Sequence, residues 1–200
     1  MTLDLGPATQ RLAGVLVNVT DNQLTLPTPC PAYTLGDLIE HINGLALAFT
    51  VAAAKDVPPG GSRGPSGDAT RLPAGWRESI PERLAALAQA WRKPDAWEGM
   101  TRAGGIDLPG QVAGLVALNE VVVHGWDVAR SAGQPYESTP EAVEACLAFL
   151  SQEPGGDEDV DGNADTGDRP FGPPVDVPAD APALDRLIGL TGRDPAWHAL

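Results

Sequence analysis

Two hundred residues, 42% of them hydrophobic, suit one domain, or one domain with a tail, and allow a real core. A formal net charge of -14 argues against nucleic acid and against anionic membranes, since both need clustered Lys and Arg, and only Lys55 and Lys93 are lysines. Cys30 and Cys146 are too few for a disulfide framework or a zinc knuckle; with no leader-like start and no unbroken apolar run of about 18 residues, a cytoplasmic protein is expected.

In chain order, residues 7–20 place Leu12, Val15, Leu16 and Val19 at helical spacing and predict a first helix. The connector 26–33, LPTPCPAY, is too rich in Pro to be helical. Thr34 opens a second helix that runs to about residue 54, and with Asp37 it resembles a capping box. Leu35, Leu38, Ile39, Ile42, Leu45 and Phe49 form its apolar face, with His41 at the edge. Residues 56–75 read as a mobile loop. A third helix spans 76–91, with Pro81 breaking its first turn, and residues 97–105 look irregular. A fourth helix, 111–130, follows Pro109 and ends at Gly133. A fifth covers 139–151. Residues 153–168 are acidic and Gly-rich and read as loop or disorder. An extended, Pro-rich stretch, 169–178, leads to a short helix, 181–190. No strand signal is strong. The expected architecture is all-α: a four-helix bundle with an extra short helix and an extended C-terminal tail. Its core is 1–151, and an acidic loop and tail, 152–200, pack on that core.

The fourth helix carries the chemistry. It is apolar almost all round, yet Glu120, His124 and Asp127 fall on one narrow stripe at about 100° per residue. Leu118, Val122 and Trp126 lie opposite. Glu120 and His124 are four residues apart, so their side chains meet and can share one metal ion. His41 would complete a His-Glu-His set that leaves a coordination position open, the catalytic pattern for zinc. The plainer alternative is a solvated face, and from the residues alone both readings stand. Buried carboxylates without partners are costly, and a divalent cation would offset that cost.

The segment TPCPAYTLGDLIEHINGL, followed by LNEVVVHGWDVARSAGQPYE, resembles the mycothiol-dependent maleylpyruvate isomerase-like family within the DinB-like metal-binding superfamily. The tail FGPPVDVPADAPALDRLIGLTGRDPAW is similar to short members of that family. The resemblance implies a DinB-like four-helix bundle holding a divalent metal, often zinc, on His41, Glu120 and His124. It also implies mycothiol as thiol cosubstrate and a small-molecule electrophile as its target. Family members usually carry Trp where Tyr33 stands here. The isomerase itself has a further C-terminal domain that contributes to its site. Set against it, the short tail here favours S-transfer or a related reaction over maleylpyruvate isomerisation.

Such an enzyme would lower the pKa of a thiol at the metal and present it to the electrophile. The competing classes are a non-catalytic protein that binds a metal and a small ligand, and a metal-dependent hydrolase using water. Among further candidates, Asp127 is expected to orient a ligand, or else to pair with Arg130 as a surface acid. Asp37 reads as a cap, Cys30 as a small buried residue, Trp126 as core and His198 as solvated. Arg193 and Asp194 could pin the tail.

Overall fold

The computed structural model describes residues 3–56, 64, 66–152 and 172–199. The acidic stretch 153–168 and residues 57–63 of the expected loop lie outside them. Seven helices and one hairpin make up the described fold: α1 (Gly6–Leu16), α2 (Leu35–Ala54), α3 (Trp76–Trp91), α4 (Pro94–Trp97), β1 (Met100–Ala103), β2 (Ile106–Pro109), α5 (Gly110–Ser131), α6 (Pro140–Gln152) and α7 (Ala183–Leu190). The protein is mostly helical.

Local chemistry sets most of the boundaries. At α2 the Thr34 hydroxyl accepts from the Asp37 amide, and the Asp37 carboxylate accepts from the Thr34 amide. α1 stops at Leu16, short of the expected residue 20. The next residues, Val17, Asn18, Val19 and Thr20, are weak helix formers. Arg77 from α3 takes the freed carbonyl of Val19 at 2.8 Å. Pro81 sits inside α3 without breaking it. It removes the N–H that would bond the Arg77 carbonyl and its ring crowds that carbonyl, but buried Trp76 and Ile80 hold the turn against the core.

The strand-free expectation is corrected by the hairpin. β1 and β2 pair antiparallel from Met100–Pro109 to Ala103–Ile106. Gly104 and Gly105, at φ 61° and 88°, supply the two positive φ values of a two-residue turn. Thr101 and Leu108, a directly opposed pair, face inward, and Thr101 donates to the carbonyl of Ala52 at the end of α2. The loop before α3 also departs from expectation. Its later part is fastened to α2, with the amides of Asp68 and Ala69 bonded to Glu40 and Asp37.

Helices α1, α3, α2 and α5 pack in a closed cycle in which each touches two others. Leu12, Leu16, Leu38, Ile42, Leu84, Leu87 and Leu118 fill the space between them. α5 is buried nearly all round, including Leu118, Val122 and Trp126 on one side and His124 and Asp127 on the other. Both α2 and α5 are long and apolar enough to cross a membrane by length and composition. In α5, 78% of the apolar window is enclosed by this fold, so core packing accounts for its composition. α6 lies on α5, and α7 on α6.

α5 comes close to two contacting indoles. Trp91 and Trp97 meet edge to face at 5.1 Å, and both lie against Gly114. A Cβ there would stand 2.6 Å from Trp97 and 2.8 Å from Trp91. Helix propensity alone would favour Ala over Gly by about 1 kcal/mol. Overpacking against two fixed rings costs about 1–3 kcal/mol and outweighs it. Gly114→Ala is therefore expected to lower stability in urea unfolding by a net amount of up to about 2 kcal/mol; raised stability would contradict this packing.

Candidate metal centre

His41 lies in the second turn of α2, and Glu120, His124 and Asp127 lie along one face of α5. α2 packs against that face, which is why the polar stripe is not solvated. The structure brings His41, Glu120 and His124 together: one ligand atom from each lies within 4.8 Å of the others. Nε2 of His124 is 3.0 Å from Oε2 of Glu120, and Nε2 of His41 is 3.9 Å from the same oxygen. The imidazoles of His41 and His124 stand perpendicular, with centroids 5.2 Å apart. Side-chain exposures of 13% for His41, 11% for Glu120 and 5% for His124 leave a narrow opening rather than a surface. The Tyr33 ring lies 5.1 Å from the His41 ring.

The donor set suits a divalent cation. Oε2 of Glu120 is buried and has no aligned hydrogen-bond partner. An acceptor without an aligned donor is costly in a dry interior, and a divalent cation held among the two imidazoles and this oxygen would satisfy it. Two imidazoles and one carboxylate from facing helices are ligands that zinc and several other divalent ions accept. On the core side, Glu120 borders a small apolar pocket whose lining includes Ile42, Leu45, Phe49, Leu84 and Val121.

Asp127 is fully buried one turn beyond His124. Its Oδ2 lies 2.9 Å from Nδ1 of His124, so the ring turns Nε2 towards Glu120 and His41. The alternative partner for Asp127, Arg130, is engaged elsewhere. Its guanidinium lies over the Trp126 ring and bonds the carbonyl of Pro195. The group that does meet Asp127 is Arg193, whose Nε and Nη2 reach the two carboxylate oxygens at 3.3 and 3.0 Å. The sequence offered Arg193 only as a pin for the tail, and its bond to Asp127 is the contact that reasoning missed. Of the other candidates, Asp37 caps α2, Trp126 is core, and His198 is exposed beside the carbonyl of Ala196. Cys30 is only partly buried, and burial, against the nearby Arg193 charge, raises its thiol pKa.

The electrostatics follow from this crowding. Burial opposes charge on His124, yet the hydrogen bond to Asp127 and the Glu120 carboxylate outweigh it and push the imidazole up to about 9. Burial likewise opposes ionisation of Glu120, but His124, His41 and Arg193 hold its carboxyl below the usual range. Asp127 is held below its ordinary value in the same way, with His124 and Arg193 prevailing over burial.

Residues 5–129 match the family model described as "Mycothiol maleylpyruvate isomerase N-terminal domain". Two uncharacterised proteins of Mycobacterium tuberculosis, from strains CDC 1551 / Oshkosh and ATCC 25618 / H37Rv, are each 27% identical over 186 residues, covering 93% of this chain and 93% of their own. Among solved structures, the chain is similar to a mycothiol-dependent maleylpyruvate isomerase, with TM-score 0.55 at 19% identity. A mutant of that enzyme gives 0.57 at 18%. Each alignment covers 74% of this chain and 67% of the other. At that identity the likeness is one of fold.

The charge arrangement predicts how stripped protein responds to pH. His124 has a folded pKa above its ordinary 6.5. Its charged form therefore stabilises the fold fully below about 6.5, and this is lost as pH rises through about 9. Glu120 and Asp127 have depressed values, so they stabilise above their ordinary pKa and that contribution is lost as pH falls. After treatment with a chelator, urea unfolding should show greatest stability between about pH 5 and 6.5 and a fall of about 2–3 kcal/mol by pH 9. His124→Gln should lack that alkaline fall. An equal fall in the variant would contradict the assignment.

Proposed function

The chain belongs to the mycothiol maleylpyruvate isomerase N-terminal domain family, and from that premise we propose that it is a divalent-metal-dependent enzyme that uses a low-molecular-weight thiol, mycothiol, against an electrophilic small molecule. The reaction is of S-transferase or isomerase type, and the scaffold is a DinB-like four-helix bundle. The observation that carries this reading is the meeting of His41, Glu120 and His124 from two facing helices around a buried carboxylate oxygen that has no aligned partner.

His41, Glu120 and His124 would hold the ion. A divalent cation such as zinc would supply a positive charge that lowers the pKa of a thiol and keeps thiolate available near neutral pH. The protein's own residues do the rest. With the ion bound, Asp127 would keep the proton of His124 on Nδ1 and leave the Nε2 lone pair for the ion. Tyr33 packs on His41 and limits the approach to one side. The apolar lining of the pocket beside Glu120 would lower the local dielectric and strengthen charge interactions at the site.

A thiol-dependent transferase, a binding protein and a hydrolase differ in what they consume. The test has two steps. Titration with zinc should show about one ion bound per chain in a site of this kind, and His41→Ala and His124→Ala should each weaken it by at least about 100-fold. The loaded protein should then consume mycothiol in the presence of an electrophile such as a chlorinated nitrobenzene, and both variants should lose that activity. Zinc bound without thiol consumption would favour the binding or hydrolytic reading, which ester hydrolysis would separate. Variants that lose the metal and keep the activity would overturn the proposal.

A further inference from the structure

Arg193 lies 66 residues beyond Asp127, on the turn that follows α7, yet its side chain reaches the stripe on α5. It is buried, at 6% exposure, and its contacts are specific. The guanidinium forks onto both oxygens of Asp127, while Nη1 donates to the carbonyl of Thr191 at 2.7 Å. The turn itself is fixed. The Arg193 amide bonds the carbonyl of Ile188, and Gly192 adopts φ 77°, where a Cβ would meet the backbone of Gly172 and Pro173. Leu187 and Ile188, fully buried, hold α7 in place. Oδ2 of Asp127 is therefore shared by Nη2 of Arg193 at 3.0 Å and Nδ1 of His124 at 2.9 Å.

We propose that Arg193 is a positioning residue for the metal centre: by clamping Asp127 it sets the orientation and tautomer of His124, so that the C-terminal segment completes the site built by α2 and α5. This rests on the reading of His41, Glu120 and His124 as metal ligands. A carboxylate anchored on both oxygens cannot swing, and because it can only accept, the His124 nitrogen facing it, Nδ1, must carry a proton. The ring is thereby left with Nε2 pointing at Glu120. Arg suits the role because its planar fork matches a carboxylate, whereas Lys would reach one oxygen with a single ammonium. Arg130 provides an internal control. It also ties the tail to α5, through the carbonyl of Pro195, without touching Asp127.

The experiment compares wild type, Arg193→Gln, Arg193→Lys and Arg130→Gln in the full chain. Zinc affinity is read by competition with a chromophoric chelator. The Nδ1 proton of His124 is read in 1H–15N spectra of the zinc-loaded protein, and folding by urea unfolding. Arg193→Gln should weaken zinc by about 10- to 100-fold, and its Nδ1 proton should lose protection from exchange. Arg193→Lys should show a smaller loss, and it serves if the Gln variant does not fold. Arg130→Gln should stay within about twofold of wild type, with the Nδ1 resonance kept. Equal zinc affinity and an unchanged resonance in both Arg193 variants would overturn the positioning role and leave the metal site standing. Equal losses in Arg130→Gln and Arg193→Gln would also overturn it, since attachment of the tail would then suffice. Failure of wild type to bind zinc would overturn the metal reading and this inference together.

Discussion

Two carboxylates are buried on one face of a single helix, and the rest of the site follows from the need to neutralise them. Glu120 and Asp127 sit two turns apart on α5 in a region that water barely reaches. Buried unpaired carboxylates destabilise a fold by several kcal/mol each, so such a helix survives only if cationic partners are brought to it. The protein brings them from separate parts of the chain. His124 comes from α5 itself, His41 from α2 and Arg193 from the turn after α7. Asp127 has its needs met within the protein. Glu120 has charged neighbours but no aligned donor on Oε2, which two imidazole nitrogens approach at 3.0 and 3.9 Å. That difference separates a supporting carboxylate from one that can hold an ion.

Much of the helical framework was legible in the sequence. The spacing of Leu38, Ile42, Leu45 and Phe49, and the Thr34–Asp37 pair, marked α2 with its capping box. The long apolar run closed by Gly133 marked α5, since few other patterns place so little polarity on so many residues. The losses have local causes. Strands β1 and β2 are four residues each, too short for an alternation to stand out, although Gly104-Gly105 between them is a hairpin turn signal. The end of α1 was misplaced because Val19 keeps the helical spacing and is buried, yet the chain has already left the helix. Its β-branched neighbours and the pull of Arg77 decide that boundary.

The site divides in the same way. Glu120 and His124 were legible because a spacing of four on a helix is a geometric statement. His41 could be nominated because the chain holds only three histidines, and its place at the edge of the apolar face of α2 allowed it to reach the interior. Asp127 was open between two roles, and the structure separates them: it lies against His124 and Arg193, while Arg130 turns away to Trp126 and Pro195. Arg193 itself was not legible as a site residue. A contact across 66 residues depends on how α7 folds back along α6, and no local spacing rule encodes that.

The central claim is that His41, Glu120 and His124 form one divalent site. X-ray absorption at the zinc edge on the zinc-loaded protein tests it most directly, because it reads the ligand atoms themselves. A first shell of nitrogen and oxygen scatterers at about 2.0–2.2 Å, two of them imidazoles, is expected, with the imidazole contribution halved in His41→Ala. A sulfur shell at about 2.3 Å, which would implicate Cys30 or Cys146, or a shell without imidazole, would contradict it.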